Sequence, residues 1–98
     1  MKQDRRETEA RLRIRLYGAV QGVGFRYFVR QAARRHELAG YVLNRPDGAV
    51  ELEAAGDAAS LEQFRSRVER GPPLARVTRV DVLENTAEPL PAPFEVRR

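Results

Sequence analysis

From Arg11 onward the chain alternates strictly, with Leu12, Ile14 and Leu16 on one parity and Arg11, Arg13 and Arg15 on the other. A period of two predicts a strand with one face buried and its arginines turned to solvent. Gly18, Gly22 and Gly24 interrupt that pattern. Beyond them Phe25, Phe28, Val29, Ala32 and Ala33 recur at helical spacing, which predicts a helix running to about Glu37. Arg34, Arg35 and His36 fall in its last turn, where positive charge complements the helix dipole, and His36 is read as a surface residue there. Gly40 restarts an extended segment through Asn44. Pro46-Asp47-Gly48 is turn chemistry, and Val50, Leu52 and Ala54 then alternate with Glu51 and Glu53. This predicts a hairpin whose glutamates form the solvated side. A second helix follows, with Asp57 or Ser60 as N-cap, Ser60 and Gln63 as a candidate capping box, and Leu61, Phe64 and Val68 as the apolar stripe. Gly71-Pro72-Pro73 stops it. Val77, Thr78, Val80 and Val82 mark another strand, and Phe94 to Val96 a short last one.

The order is β-α-β-β-α-β with a short fifth strand. Two helices, each with one apolar stripe, must share one face of an antiparallel sheet, so the expected fold class is α+β, a ferredoxin-like sandwich. Residues 1–10 are polar and aperiodic and are expected to form a mobile extension, with one domain over 11–98. Ninety-eight residues, 42% of them hydrophobic, suffice for a single core. No apolar run is long enough to span a bilayer and the first residues are charged, so a cytoplasmic protein with no membrane partner is expected. Without cysteine and with one histidine, thiolate chemistry and the commonest metal centres are excluded, and no metal or cofactor is expected. The net charge of +4 suits an anionic ligand or a nucleic acid equally.

The stretch from Gly18 to Arg26 is the most informative of the chain. Glycines between a strand and a helix let successive backbone N–H groups converge on one point, and the helix N-terminus adds its positive end. The stretch from Gly18 to Gly24 has the make-up of such an anion cradle, and equally that of a plain glycine-rich turn followed by a solvated arginine. Arg26 lies in the first helical turn, where a positive charge is unfavourable by about 0.3–1 kcal/mol unless an anion binds there. Its planar fork matches two phosphate oxygens, which lysine cannot do.

The same stretch resembles the first signature of the acylphosphatase family, a glycine, then V-Q-G-V, then F-R after a strand, carried here by Gly18, Val20, Gln21, Gly22, Val23, Phe25 and Arg26. The family's second signature is matched by Gly40-Tyr41-Val42-Leu43-Asn44, the turn into Gly48, and Gly56. Leu43 departs from it, standing where the family usually has a longer polar residue. The resemblance covers about residues 11–97. It implies that the backbone around Val20 to Gly24 together with Arg26 holds the phosphoryl oxygens, while Asn44 positions the attacking water. It also implies an acyl phosphate substrate, inorganic phosphate or sulfate as competing anions, and a monomer. Taken without it, the residues offer no nucleophile, metal cluster or Ser/His/Asp set, and only a substrate with a good leaving group is compatible with so little apparatus.

Two other classes share the pattern. A ferredoxin-like RNA-binding module would want aromatic and basic residues where Glu51 and Glu53 stand, so no nucleic-acid partner is expected. A non-enzymatic phosphate-binding module would use the cradle without hydrolysis. A module of a larger carbamoyl-transfer assembly is disfavoured by the short, cysteine-free chain.

Overall fold

A computed structural model describes residues 9–98. Its elements are β1 (Glu9–Ala19), α1 (Phe25–Arg35), β2 (Ala39–Asn44), β3 (Val50–Asp57), α2 (Ala58–Arg70), β4 (Arg76–Leu83) and β5 (Glu95–Arg97). Most of the expected N-terminal extension lies outside the described residues. Its last two positions, Glu9 and Ala10, instead begin β1, because they pair with Asp57 and Gly56 at the end of β3.

The five strands lie in the order β4-β1-β3-β2-β5. The helical connection from β1 to β2 leaves a gap that β3 fills, which is the split β-α-β arrangement of the ferredoxin-like sandwich. The sheet is mixed rather than wholly antiparallel: β5 runs parallel to β2, with Val96 opposite Val42. The long connection after β4 carries the chain across to the far edge, so β5 enters in the direction of β2.

Leu12, Ile14 and Leu16 face the helices, as the alternation predicts, and pack with Phe25, Val29, Leu52 and Phe64 in the buried core. The side-chain carboxylate of Asp57 caps α2 by accepting from the Ser60 N–H at 3.1 Å. Ser60 lies inside the helix and is not the cap. Glycine is required at Gly18 and Gly40. Both have positive φ, and a Cβ would sit 2.1 Å from the Arg76 carbonyl oxygen or 1.9 Å from that of Glu53. At Gly18 the register against β4 also shifts: Tyr17 pairs with Arg79 but Gly18 with Val77. This bulge turns the chain out of β1 into the glycine loop.

The glutamates of β3 depart from expectation. Glu51 and Glu53 are buried, not solvated. Arg15 Nε donates to Glu51 at 2.8 Å and Arg13 Nη2 at 3.3 Å. Glu53 receives Arg11 Nη2 at 3.0 Å, the Thr86 N–H at 2.9 Å and the Thr86 hydroxyl at 2.8 Å. The physical reason is coverage from two sides. The arginines of β1 fold over the neighbouring strand, and the β4–β5 connection lays Thr86 across it. Tyr41, also buried, donates its hydroxyl to Glu53 at 3.4 Å. Burial, then the Glu51 and Glu53 carboxylates, push the Tyr41 phenol up, which keeps it a donor.

Burial pushes the Glu51 carboxyl up as its largest single influence, but the Arg15 hydrogen bond and the Arg13 charge together hold it below its ordinary value of 4.5. A carboxyl depressed in the folded state adds stability that is complete above the unfolded value and is lost as pH falls through the folded one. Glu51→Gln is therefore expected to be less stable than the parent at pH 7. The gap in urea midpoint should close progressively below about pH 4.5. A gap that stays constant down to pH 3 would show that the charge of Glu51 contributes nothing.

Among the described residues no helix is long and apolar enough to cross a membrane.

Candidate active site

At the end of β1 the glycine loop, the first turn of α1 and the end of β2 enclose a hollow of about 100 Å³. It is lined by Val20, Gly22, Gly24, Phe25, Arg26, Tyr27 and Asn44. The loop is shaped by Gly22 and Gly24, whose φ angles of 77° and 75° lie in the left-handed region. A Cβ at either would meet nothing within 4 Å. Glycine is thus demanded there by backbone conformation and not by crowding, and the space above the loop is open.

Gly24 is also the N-cap of α1, so no side chain accepts from the first helical N–H groups, and the first turn holds no acidic residue. The positive end of the helix is left facing the hollow. Arg26 is half-buried there. Its Nη1 donates to the Arg97 carbonyl oxygen at 3.2 Å, which anchors the guanidinium to β5. Among the described residues it makes no other hydrogen bond, so the rest of its donor fork is available to a ligand.

Asn44 ends β2 opposite Val50. The turn after it is tightly fixed: the Arg45 N–H donates to the Ala49 carbonyl at 2.8 Å, and the Gly48 N–H to that of Arg45 at 3.1 Å. The Ala49 N–H donates to Asp47 Oδ1 at 3.0 Å. That hydrogen bond, assisted by Arg45, outweighs burial and holds the Asp47 carboxyl below its ordinary value. Asp47 thus acts as the turn-former the sequence predicts. Asn44 Oδ1 is buried and has no hydrogen-bond partner. A buried, unpaired carbonyl oxygen in a folded protein calls for an explanation, and a donor supplied by a ligand or water is the simplest.

Of the residues predicted to form the site, Val20, Gly22, Gly24, Arg26 and Asn44 come together at the hollow, although Arg26 and Asn44 belong to different elements. The Val23 side chain packs against the core, so only its backbone N–H is a candidate for the site. The Gln21 side chain also points elsewhere, donating from Nε2 to the carbonyls of Arg45 at 2.8 Å and Ala49 at 2.9 Å. It ties the glycine loop to the turn behind Asn44, a role its place in the motif does not reveal. Sequence reasoning missed the Arg97 carbonyl and Tyr27. The only available signal for Tyr27 was its adjacency to Arg26.

A larger hollow of about 740 Å³ lies at the opposite end of the sheet, against Arg34, His36, Leu38, Asp57 and Phe94. It contains neither the glycine loop nor Asn44. Size favours it, but among the described residues the smaller hollow is the one lined by the glycine loop, Arg26 and an asparagine whose buried Oδ1 has no partner.

An open α/β sandwich whose glycine loop, helix N-terminus and arginine face one anion-sized hollow defines a small phosphate-handling protein. The acylphosphatase family model matches residues 12–96, and the chain belongs to that family. An acylphosphatase of Thermotoga petrophila is 51% identical over 77 residues, covering 79% of this chain and 86% of the relative. One of Salinibacter ruber is 47% identical over 91 residues, covering 93% and 96%. The structure of an acylphosphatase from Coxiella burnetii superposes with a TM-score of 0.87 at 34% identity, covering 98% of this chain and 100% of the other. The chain is accordingly a hydrolase acting on acyl phosphates.

Proposed function

We propose that Arg26 and the backbone N–H groups of Val20 to Gly24 bind the phosphoryl group, and that Asn44 positions the water that attacks it. The observation that carries this reading is the meeting of Arg26 and Asn44 at one hollow, with Asn44 Oδ1 buried and unpaired. A water in the hollow satisfies that oxygen by donating one proton to it. Its lone pair is then free to point at phosphorus, in line with the leaving carboxylate. The new P–O bond forms as the bond to the acyl oxygen breaks, and a phosphoryl oxygen takes the proton released by the water.

The acyl oxygen departs as a carboxylate, which needs no general acid. Phosphoryl transfer of this kind rests on positioning and on stabilising charge at the phosphoryl oxygens. Converging N–H groups and a guanidinium fork supply both. The reaction proceeds without metal and without a covalent intermediate, and a single chain carries the whole set of groups, so a monomer suffices. Inorganic phosphate and sulfate present the same oxygens and compete for the hollow.

Benzoyl phosphate hydrolysis in excess EDTA tests this directly. Turnover is expected to survive chelation and to be inhibited competitively by inorganic phosphate. Activity abolished by EDTA and restored by a divalent cation would overturn it.

A further inference from the structure

The hollow at Arg26 is far smaller than the roughly 300 Å³ at which pockets enclosing a whole organic ligand begin. At about 100 Å³ it takes the phosphoryl group and leaves the acyl group outside, against whatever forms the rim. Among the lining residues Val20 and Phe25 are buried, exposed by 1% and 2%, so their side chains support the wall and offer no surface to a substrate. Gly22 and Gly24 carry no side chain. Tyr27 differs: it is 52% exposed, and it is the next residue after Arg26. Its ring is also held in place. The Arg30 guanidinium, one turn along the helix, lies over the ring at 5.0 Å from its centroid, and about half of Tyr27, which lines the hollow, stays open to solvent.

We infer that Tyr27 is a specificity-determining residue whose ring receives the acyl group, so that the site prefers acyl phosphates with aromatic or broad apolar acyl groups over small ones. The inference rests on the phosphate reading of the hollow given above. A large apolar side chain exposed at a polar site gains by covering its surface, and aromatic pairs add an orientation-dependent attraction. Acetyl phosphate presents only a methyl group there, whereas benzoyl phosphate presents a ring. Arg30 strengthens the effect by fixing the Tyr27 ring before substrate arrives, so less side-chain freedom is lost on binding.

The test compares kcat/KM for benzoyl and acetyl phosphate in the parent, Tyr27→Ala and Tyr27→Phe, together with the inhibition constant of inorganic phosphate. Tyr27→Ala is expected to lower the benzoyl-to-acetyl ratio about three- to tenfold, mainly through KM for benzoyl phosphate. Tyr27→Phe should retain the parent ratio, since the ring and not the hydroxyl makes the contact. Parallel loss on both substrates, or an unchanged ratio in Tyr27→Ala, overturns the assignment. Failure of inorganic phosphate to compete in the parent would instead overturn the phosphate reading beneath it. Circular dichroism confirms that the variants fold, as expected for an exposed position.

Discussion

Arg26→Ala is expected to lower kcat/KM for benzoyl phosphate by about two to four orders of magnitude, raising KM and lowering kcat together. A charge-assisted hydrogen bond contributes about 1.5–3 kcal/mol, and the guanidinium fork can make two of them to one phosphoryl group. Their loss amounts to about 3–6 kcal/mol, and each 1.4 kcal/mol is a factor of ten. Both constants suffer because the arginine already meets negative oxygens in the ground state, which sets KM, and meets them more strongly in the transition state, which sets kcat.

Stability should change little. The variant loses the bond from Nη1 to the Arg97 carbonyl, worth about 1 kcal/mol. It also removes a positive charge from a helix first turn, which recovers about 0.3–1 kcal/mol. Arg26→Lys keeps the charge but not the fork and should restore little of the rate. Steady-state kinetics of both variants beside a thermal melt checks all three statements. Full turnover by Arg26→Ala would remove the arginine from the site.

The elements of this fold were legible because their apolar positions repeat with the period of the structure they form. Leu12, Ile14 and Leu16 on β1, and Leu61, Phe64 and Val68 on α2, lie in the core where the pattern puts them. Alternation says which residues share a face, however, and not what covers that face. Glu51 and Glu53 share the parity of the solvated side, yet the β1 arginines and Thr86 close over them. A signal did exist: three arginines alternate on β1 and two glutamates on β3, and pairing those strands sets Arg13 against Glu53 and Arg15 against Glu51. Opposite charges on one face of adjacent strands attract and exclude water. The parallel pairing of β5 could not be read, since three residues carry no usable period and their direction follows from a long connection.

The site divides in the same way. Arg26 and the glycines could be read as a candidate anion loop from loop conformation and anion chemistry, whereas Asn44 alone reads as a turn residue and entered as a candidate through the resemblance to the family's second signature. The tether from Gln21 to the Arg45 and Ala49 carbonyls and the hold of Arg97 on Arg26 depend on backbone atoms, which every residue carries. No choice of side chain at Arg45, Ala49 or Arg97 announces them.

Asn44→Ala is expected to separate catalysis from binding and stability. If the amide orients water, its removal leaves the phosphate contacts intact but lets the nucleophile take many positions, and misplacing a reacting group by about 1 Å costs on the order of 10²-fold. The expected outcome is a kcat reduced by that order, with the inhibition constant of inorganic phosphate within about twofold of the parent. The thermal melt carries an independent sign. Asn44 Oδ1 is buried without a partner in the structure, and an unsatisfied buried acceptor costs about 1–3 kcal/mol unless water meets it. Alanine abolishes whatever part of that cost the water in the hollow leaves uncompensated, so Tm should hold or rise, the relation expected where a residue is placed for chemistry at the expense of stability. A lower Tm would assign Asn44 a structural role in the β2–β3 turn. A weakened phosphate inhibition constant with kcat preserved would move it among the anion-binding groups, and with it the water would need another guide.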